Sequence, residues 1–159
     1  MATHDPTDRG PTDRGLTHVA LPTQDLARSA AFYARYADMR VVHERRDAGT
    51  GRGVAWLTDG TRPFVVVLIE QAAAAAPLVP PAHLGVGCAS RAEVDRLCAA
   101  ARAEGALVEG PHDMGPPVGY WAFLRDPDGH TLELSHGQEV ALTVERAADA
   151  GSGPGDHVG

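Results

Sequence analysis

The chain has 159 residues, a formal net charge of −7 and 22% charged residues. This length suits one compact domain or two small modules, and there is no general basic field to attract nucleic acid or an anionic membrane. Every basic residue other than histidine is arginine, and the lack of lysine excludes Schiff-base chemistry and a Walker-type phosphate loop. No apolar run approaches the ~20 residues of a membrane helix and no signal h-region is evident, which predicts a cytoplasmic protein.

Residues 1–14 carry Pro6-Thr7-Asp8-Arg9-Gly10 and repeat it as Pro11-Thr12-Asp13-Arg14-Gly15. Such a segment has little to bury and reads as a disordered tail. Residues 16–22 form a strand pattern, and Asp25 caps a helix to about Ala37 with Leu26, Ala30, Tyr33 and Ala37 on one face. Three strand candidates follow, around Val41-Val42, over 54–57 and over 64–69, which completes a βαβββ module over 15–71. The Ala/Pro-rich stretch 72–81 cannot continue as one helix and reads as a linker.

A second module occupies 82–140. Its strand is expected over 83–88, Ser90-Arg91-Ala92-Glu93 is a capping box, and Val94, Leu97, Cys98 and Ala101 form the apolar stripe of a helix that stops before Gly105. Strands then follow around Leu107-Val108, over 120–124 and over 131–134. Residues 141–159 read as a C-terminal tail, disordered from about 147. Cys88 and Cys98 form neither a CxxC pair nor a disulfide framework and are expected as buried free thiols.

The two modules read as one unit written twice, and each copy opens with a histidine in a short apolar strand: His18 in Leu16-Thr17-His18-Val19-Ala20-Leu21, and His83 in Ala82-His83-Leu84-Gly85-Val86-Gly87. The second copy ends in Asp126-Pro127-Asp128-Gly129, a turn feeding Leu132-Glu133-Leu134. Strand alternation puts Glu133 on the face opposite the two leucines, where a lone charge needs a partner. Two imidazoles and one carboxylate suit a divalent metal and leave coordination positions for a substrate. No phosphate-binding glycine pattern is present, so no nucleotide cofactor is expected.

These residues resemble the vicinal oxygen chelate superfamily, which includes glyoxalase I, methylmalonyl-CoA epimerase, extradiol dioxygenases, and fosfomycin- and bleomycin-resistance proteins. The resemblance covers about 15–140. It is carried by the His18 strand with Asp25-Leu26 and Phe32-Tyr33 behind it, and by the turn at 126–129 leading to Glu133. It implies an α+β fold of two βαβββ modules pairing into a half-barrel. It also implies a divalent metal (Zn, Ni, Mn, Co or Fe(II)) on His18, His83 and Glu133, a small oxygenated substrate, and a homodimer whose metal sites are shared between chains. Four-ligand members add a Glu from the last strand of the first module. Applying the His83-to-Glu133 spacing to His18 lands on Leu68, a two-residue insertion would bring in Glu70, and the epimerase pattern puts Val67 at the metal. Whether Glu70 is a fourth ligand stays open at this level.

The reading that follows is a glyoxalase-like lyase or isomerase that transfers a proton beside a carbonyl, with Glu133 as ligand and candidate base. The alternatives are an Fe(II) extradiol dioxygenase, against which Phe123 replaces that group's tyrosine, and a drug- or metabolite-binding protein of the bleomycin-resistance kind. A fosfomycin transferase is less favoured because Ala20 replaces its polar residue. His43, His112, His130 and His136 are expected at the surface or in loops, with His112 or His136 as possible substrate contacts. Trp56 and Trp121 are expected at comparable places in the two modules, as core, and Tyr120 and Trp121 are the candidates for a pocket mouth.

Overall fold

The computed structural model describes residues 15–73 and 76–151, so the expected tails over 1–14 and 152–159 lie outside the described residues. The chain divides between Ala76 and Pro77 into two compact units. In the first, β1 (His18–Thr23) leads to α1 (Leu26–Ala37), β2 (Arg40–Arg46), β3 (Gly53–Thr58) and β4 (Val65–Glu70). In the second, β5 (Leu84–Gly87) leads to α2 (Arg91–Ala103), β6 (Leu107–Asp113), β7 (Tyr120–Arg125) and β8 (Thr131–His136), followed by α3 (Val140–Gly151). Each unit holds a four-stranded sheet with the same connections, ordered β1-β4-β3-β2 and β5-β8-β7-β6. The first and last strands of each unit run parallel and the other pairs antiparallel. The expected doubled βαβββ pattern is therefore what the chain adopts.

The helices start where the sequence predicts, because capping side chains satisfy their free amides. Asp25 accepts from the Arg28 amide, and Ser90 from the Glu93 amide at 3.1 Å. The capping box differs in one detail, since the Glu93 carboxylate reaches back to the amide of Ala89 at 2.8 Å rather than to that of Ser90. Val94, Leu97, Cys98 and Ala101 are the buried stripe of α2, as expected. In α1 Tyr33 and Ala37 of the expected stripe are buried, Leu26 and Ala30 are half-buried, and Ser29, Phe32 and Tyr36 are buried beside them. The aromatic cluster widens the buried face: Phe32 sits 5.4 Å from Tyr33 and 4.8 Å from Tyr36, and Ser29 is accommodated by a 2.8 Å hydrogen bond to Thr23.

Helices α1 and α2 each cover one face of their own sheet. Leu21, Leu57, Val66 and Leu68 are buried in the first unit, and Ala122, Leu124, Leu132 and Leu134 in the second. Strand alternation sends their neighbours to the other, open face. Cys98 is buried and Cys88 half-buried, and removal from water pushes the Cys88 thiol up to about 11. Both cysteines are thus protonated, unreactive packing groups at neutral pH.

Three parts of the chain depart from expectation. Strand β2 runs well past Val41-Val42 through His43, Glu44, Arg45 and Arg46, with every residue exposed, because it is an edge strand whose polar side chains need no burial. Residues 147–151 continue α3 instead of forming a tail, as their alanines favour. His130 is almost wholly buried rather than exposed. Its Nδ1 accepts the Leu78 amide at 3.1 Å while the Leu78 carbonyl accepts from the Thr131 amide at 2.7 Å, which fastens the end of the linker to β8. The preceding turn is held by Asp126, whose Oδ1 accepts the amides of Asp128 and His130.

Gly119 is the tightest glycine near the end of β8. Its φ is 84°, and a Cβ there would meet the backbone of His136, Gly137 and Gln138 at 2.4, 2.8 and 2.9 Å. Gly119→Ala is expected to lower stability by about 2–4 kcal/mol, combining the strain of a left-handed backbone with a clash against main chain that cannot rotate away. Urea unfolding monitored by circular dichroism checks this.

Candidate functional site

Glu133 is 8% exposed, in a strand whose flanking leucines are wholly buried. It pairs across β5 with Gly85 and across β7 with Phe123, so its side chain enters the open face of the second sheet. Both of its oxygens are engaged there. Oε1 accepts from the Gln138 side-chain amide at 2.7 Å, and Oε2 lies 3.5 Å from Nε2 of His83. Nδ1 of His83 is 2.7 Å from the Pro81 carbonyl, and because a carbonyl can only accept, Nδ1 carries a proton. In the neutral ring Nε2 then presents its lone pair to a carboxylate. Two acceptors facing each other at this distance are stabilised by a cation between them, a proton or a metal ion. An imidazole whose other nitrogen donates to a backbone carbonyl is the usual second-sphere arrangement of a metal-binding histidine.

An aromatic row continues from this pair. His83 lies 5.1 Å from Phe123, Phe123 is 4.7 Å from Trp121, and Trp121 is 5.0 Å from His112, whose Nε2 is 3.0 Å from Glu109. Trp121 and His112 therefore flank the same face as Glu133. Tyr120 instead donates to Asp95 of α2 at 2.6 Å and stacks under Arg91 at 4.9 Å, which is structural work away from the open face. His136 places Nδ1 3.0 Å from the Cys88 carbonyl, tying β8 to the end of β5.

In the first unit His18 holds the position that His83 holds in the second, at the start of the strand next to the last strand. Thr17 Oγ1 engages its Nδ1 at 3.0 Å, so Nε2 is the nitrogen that Thr17 leaves for another partner. The pairing register settles which residue of β4 corresponds to Glu133. Glu133 lies opposite Gly85 of β5, and the residue opposite Ala20 of β1 is Val67. Leu68, the residue found by spacing alone, faces the helix and is buried. Glu70 also faces the helix side: its Oε2 accepts the Gly53 amide at 2.9 Å and lies 3.6 Å from Arg46. Neither supplies a carboxylate beside His18.

The same register corrects the tryptophans. Trp56 lies opposite Val67 and Phe123 opposite Glu133, so Trp56 corresponds to Phe123, while Trp121, opposite Ser135, corresponds to Val54. Nor is Trp56 core: it is 41% exposed on the open face of the first sheet, 4.9 Å from His43. That face forms a cavity of about 590 Å³ lined by His18, Trp56, Val67, Ile69, Arg45 and Arg62 among others.

The structure thus joins two of the three expected ligands, His83 and Glu133, and sets His18 at the repeat-equivalent place in the other unit. Within neither unit do three or more His, Cys, Asp or Glu side chains among the described residues gather into one ion-holding group. Gln138, the Pro81 carbonyl, Arg45 and Arg62 were not marked by sequence. The signal for Gln138 is Gly137, whose φ of 78° turns the chain back beside the strand it has just left.

Comparison with known proteins agrees with this architecture. A Pseudomonas aeruginosa protein, uncharacterized protein PA2024, is 39% identical over 128 residues, which are 79% of this chain and 90% of the relative. Among solved structures, a mutant of the genomically encoded fosfomycin resistance protein FosX from Listeria monocytogenes, complexed with Mn(II) and 1S,2S-dihydroxypropylphosphonic acid, superposes with a TM-score of 0.64 at 18% identity. The match covers 84% of this chain and 99% of that one. Leishmania major glyoxalase I superposes with a TM-score of 0.60 at 22% identity, over 87% and 95%. At such identities these two likenesses speak for the fold. The family model matches residues 15–134, and with it the chain belongs to the Glyoxalase/Bleomycin resistance protein/Dioxygenase superfamily.

Proposed function

We propose that this protein is a metal-dependent enzyme of the glyoxalase type, in which His18, His83 and Glu133 hold one divalent ion and the substrate is a small molecule with oxygens on adjacent atoms. The observation that carries this reading is the His83–Glu133 pair. Two acceptors meet at 3.5 Å, while the other nitrogen and the other oxygen are already committed to Pro81 and Gln138. Such a pair is built to share a cation. With Val67 where a fourth ligand would stand, the set is two histidines and one carboxylate, which leaves open positions.

When bound, a divalent ion supplies Lewis-acid stabilisation of negative charge on substrate oxygens. The protein's own groups do the rest. Gln138 fixes the carboxylate plane of Glu133, the Pro81 carbonyl fixes the tautomer of His83, and Phe123 and Trp121 give the site an apolar wall. In this reading Glu133 is first a ligand and second the base that takes a proton from carbon beside a carbonyl and returns it, the event that lyase and isomerase chemistry of this type needs. Phe123 faces Glu133 directly and has no hydroxyl, which counts against the ring-cleaving dioxygenase alternative.

In this reading the protein is a homodimer, with His18 of each site contributed by the partner chain, so that assembly and metal binding are coupled. Light scattering at micromolar concentration is expected to give the mass of two chains. A monomer that still binds metal would place all three ligands within one chain.

Protein purified without added metal is expected to hold about one divalent ion per chain by elemental analysis. Stoichiometry near zero after remetallation would favour a metal-free binding protein instead. Glu133→Gln is expected to fold normally, weaken metal binding about 10- to 100-fold and abolish turnover in a screen of hemithioacetals and acyl-CoA epimers. Oxygen uptake with a catechol and Fe(II) would point to the dioxygenase. Glu70→Gln is expected to leave metal stoichiometry unchanged and to alter stability by under about 1 kcal/mol, because the amide oxygen still accepts from Gly53.

A further inference from the structure

The segment that leads into β5 has few backbone donors with which to hold itself. Of residues 77–81, Pro77, Pro80 and Pro81 carry no amide hydrogen, so only Leu78 and Val79 can donate from the main chain. The Leu78 amide goes to a side chain far along the sequence, Nδ1 of His130, at 3.1 Å. The Leu78 carbonyl accepts the Thr131 amide at 2.7 Å, so both main-chain polar groups of one residue are spent on the head of β8. His130 is 2% exposed, and it accepts an N–H only with its own proton on Nε2. Its main chain is held in turn by Asp126, whose Oδ1 accepts the His130 amide at 2.8 Å and whose amide donates to the His130 carbonyl at 2.8 Å.

The same segment carries the group that aims His83. Beyond Leu78 a turn closes with the Ala82 amide on the Val79 carbonyl at 2.9 Å, and the Pro81 carbonyl inside that turn accepts from Nδ1 of His83 at 2.7 Å. Leu84 then enters the sheet opposite Leu132 of β8. The loop 79–83 is thus tied at both ends to the head of β8. Its far end is held by strand pairing alone, whereas its near end depends on a side chain, His130.

We infer that His130 is a positioning residue of the metal site: by holding Leu78 it fixes where the Pro81 carbonyl stands, and through that carbonyl the tautomer and direction of His83 toward Glu133. This rests on the reading above that His83 and Glu133 share a metal ion, although the control of the imidazole itself operates without one. An apolar side chain at 130 would leave the Leu78 amide without its acceptor, a loss that folding does not recover elsewhere in a segment this rich in proline. The loop would then keep only the Thr131 contact at its near end, and the Pro81 carbonyl would no longer hold one place.

Protein labelled with ¹⁵N in its histidines reports both rings before any metal is added, because nitrogen shifts separate the two tautomers of a neutral imidazole. At a pH where both rings are neutral, the wild type is expected to show His83 protonated on Nδ1 and His130 protonated on Nε2. His130→Leu is expected to mix the His83 tautomers and to weaken Co(II) binding about 3- to 10-fold, less than the loss of a group bonded directly to a ligand. His130→Asn, whose side-chain oxygen can stand where Nδ1 stands, is expected to restore the His83 signals and to hold Co(II) within about twofold of wild type. Should the leucine variant not fold, His130→Gln, which moves the acceptor one bond further out, takes its place with the same expectation. A folded variant lacking the acceptor at Nδ1, with His83 signals and Co(II) affinity equal to wild type, overturns the inference even if its thermal midpoint falls, and leaves the metal reading intact. A wild-type His130 protonated on Nδ1 overturns it as well. Mixed His83 tautomers in a variant of a protein that takes up no Co(II) support the positioning role while removing the metal.

Discussion

The second unit is organised around a carboxylate placed where water does not compensate its charge. Glu133 sits between two fully buried leucines, and a carboxylate at such a depth without hydrogen-bond partners would destabilise the strand by several kcal/mol. The chain answers with two contacts that approach from opposite directions in sequence: His83, just before β5, and Gln138, just past β8. Both depend on backbone features. The Pro81 carbonyl turns the imidazole, and Gly119, by lacking a side chain, lets residues 136–138 pass close enough for Gln138 to return to the strand. The site is therefore a property of how the ends of two parallel neighbouring strands are tied.

The two sheets repeat the same connections, yet the equivalent positions carry opposite chemistry. Val67 and Glu133 occupy matching places, as do Trp56 and Phe123. One face keeps a histidine over an apolar floor edged with arginine; the other keeps a histidine against a carboxylate with an aromatic row beyond. A doubled module allows this division because each open face has its own helix-covered core behind it.

Much of this was legible in the sequence, and the reason is periodicity. The α2 stripe, both caps, the turn at 126–129 and the two histidines at the heads of the repeat are local signals set by a few neighbouring residues. What escaped was register and the width of a helix face. Counting residues put Leu68, or Glu70 after an insertion, at the place equivalent to Glu133, while the epimerase pattern pointed to Val67; hydrogen-bonded pairing puts Val67 there, opposite Ala20, and a shift of one position along a strand exchanges its faces. The α1 stripe was read too narrowly: Tyr33 and Ala37 are buried as expected, and the aromatic contacts of Phe32 with Tyr33 and Tyr36 widen the buried face. His130 looked like a loop residue and is a buried acceptor for Leu78, a partnership far apart in sequence that no local pattern announces.

The register also constrains how the chemistry divides. A carboxylate at the Val67 position of β4 would have put a buried negative charge on the His18 face, in need of partners like those that Glu133 has. Valine there does the reverse. It continues the apolar row of Val65 and Ile69, so the face on which His18 stands and the face on which Glu133 stands differ in polarity although their strands are paired alike.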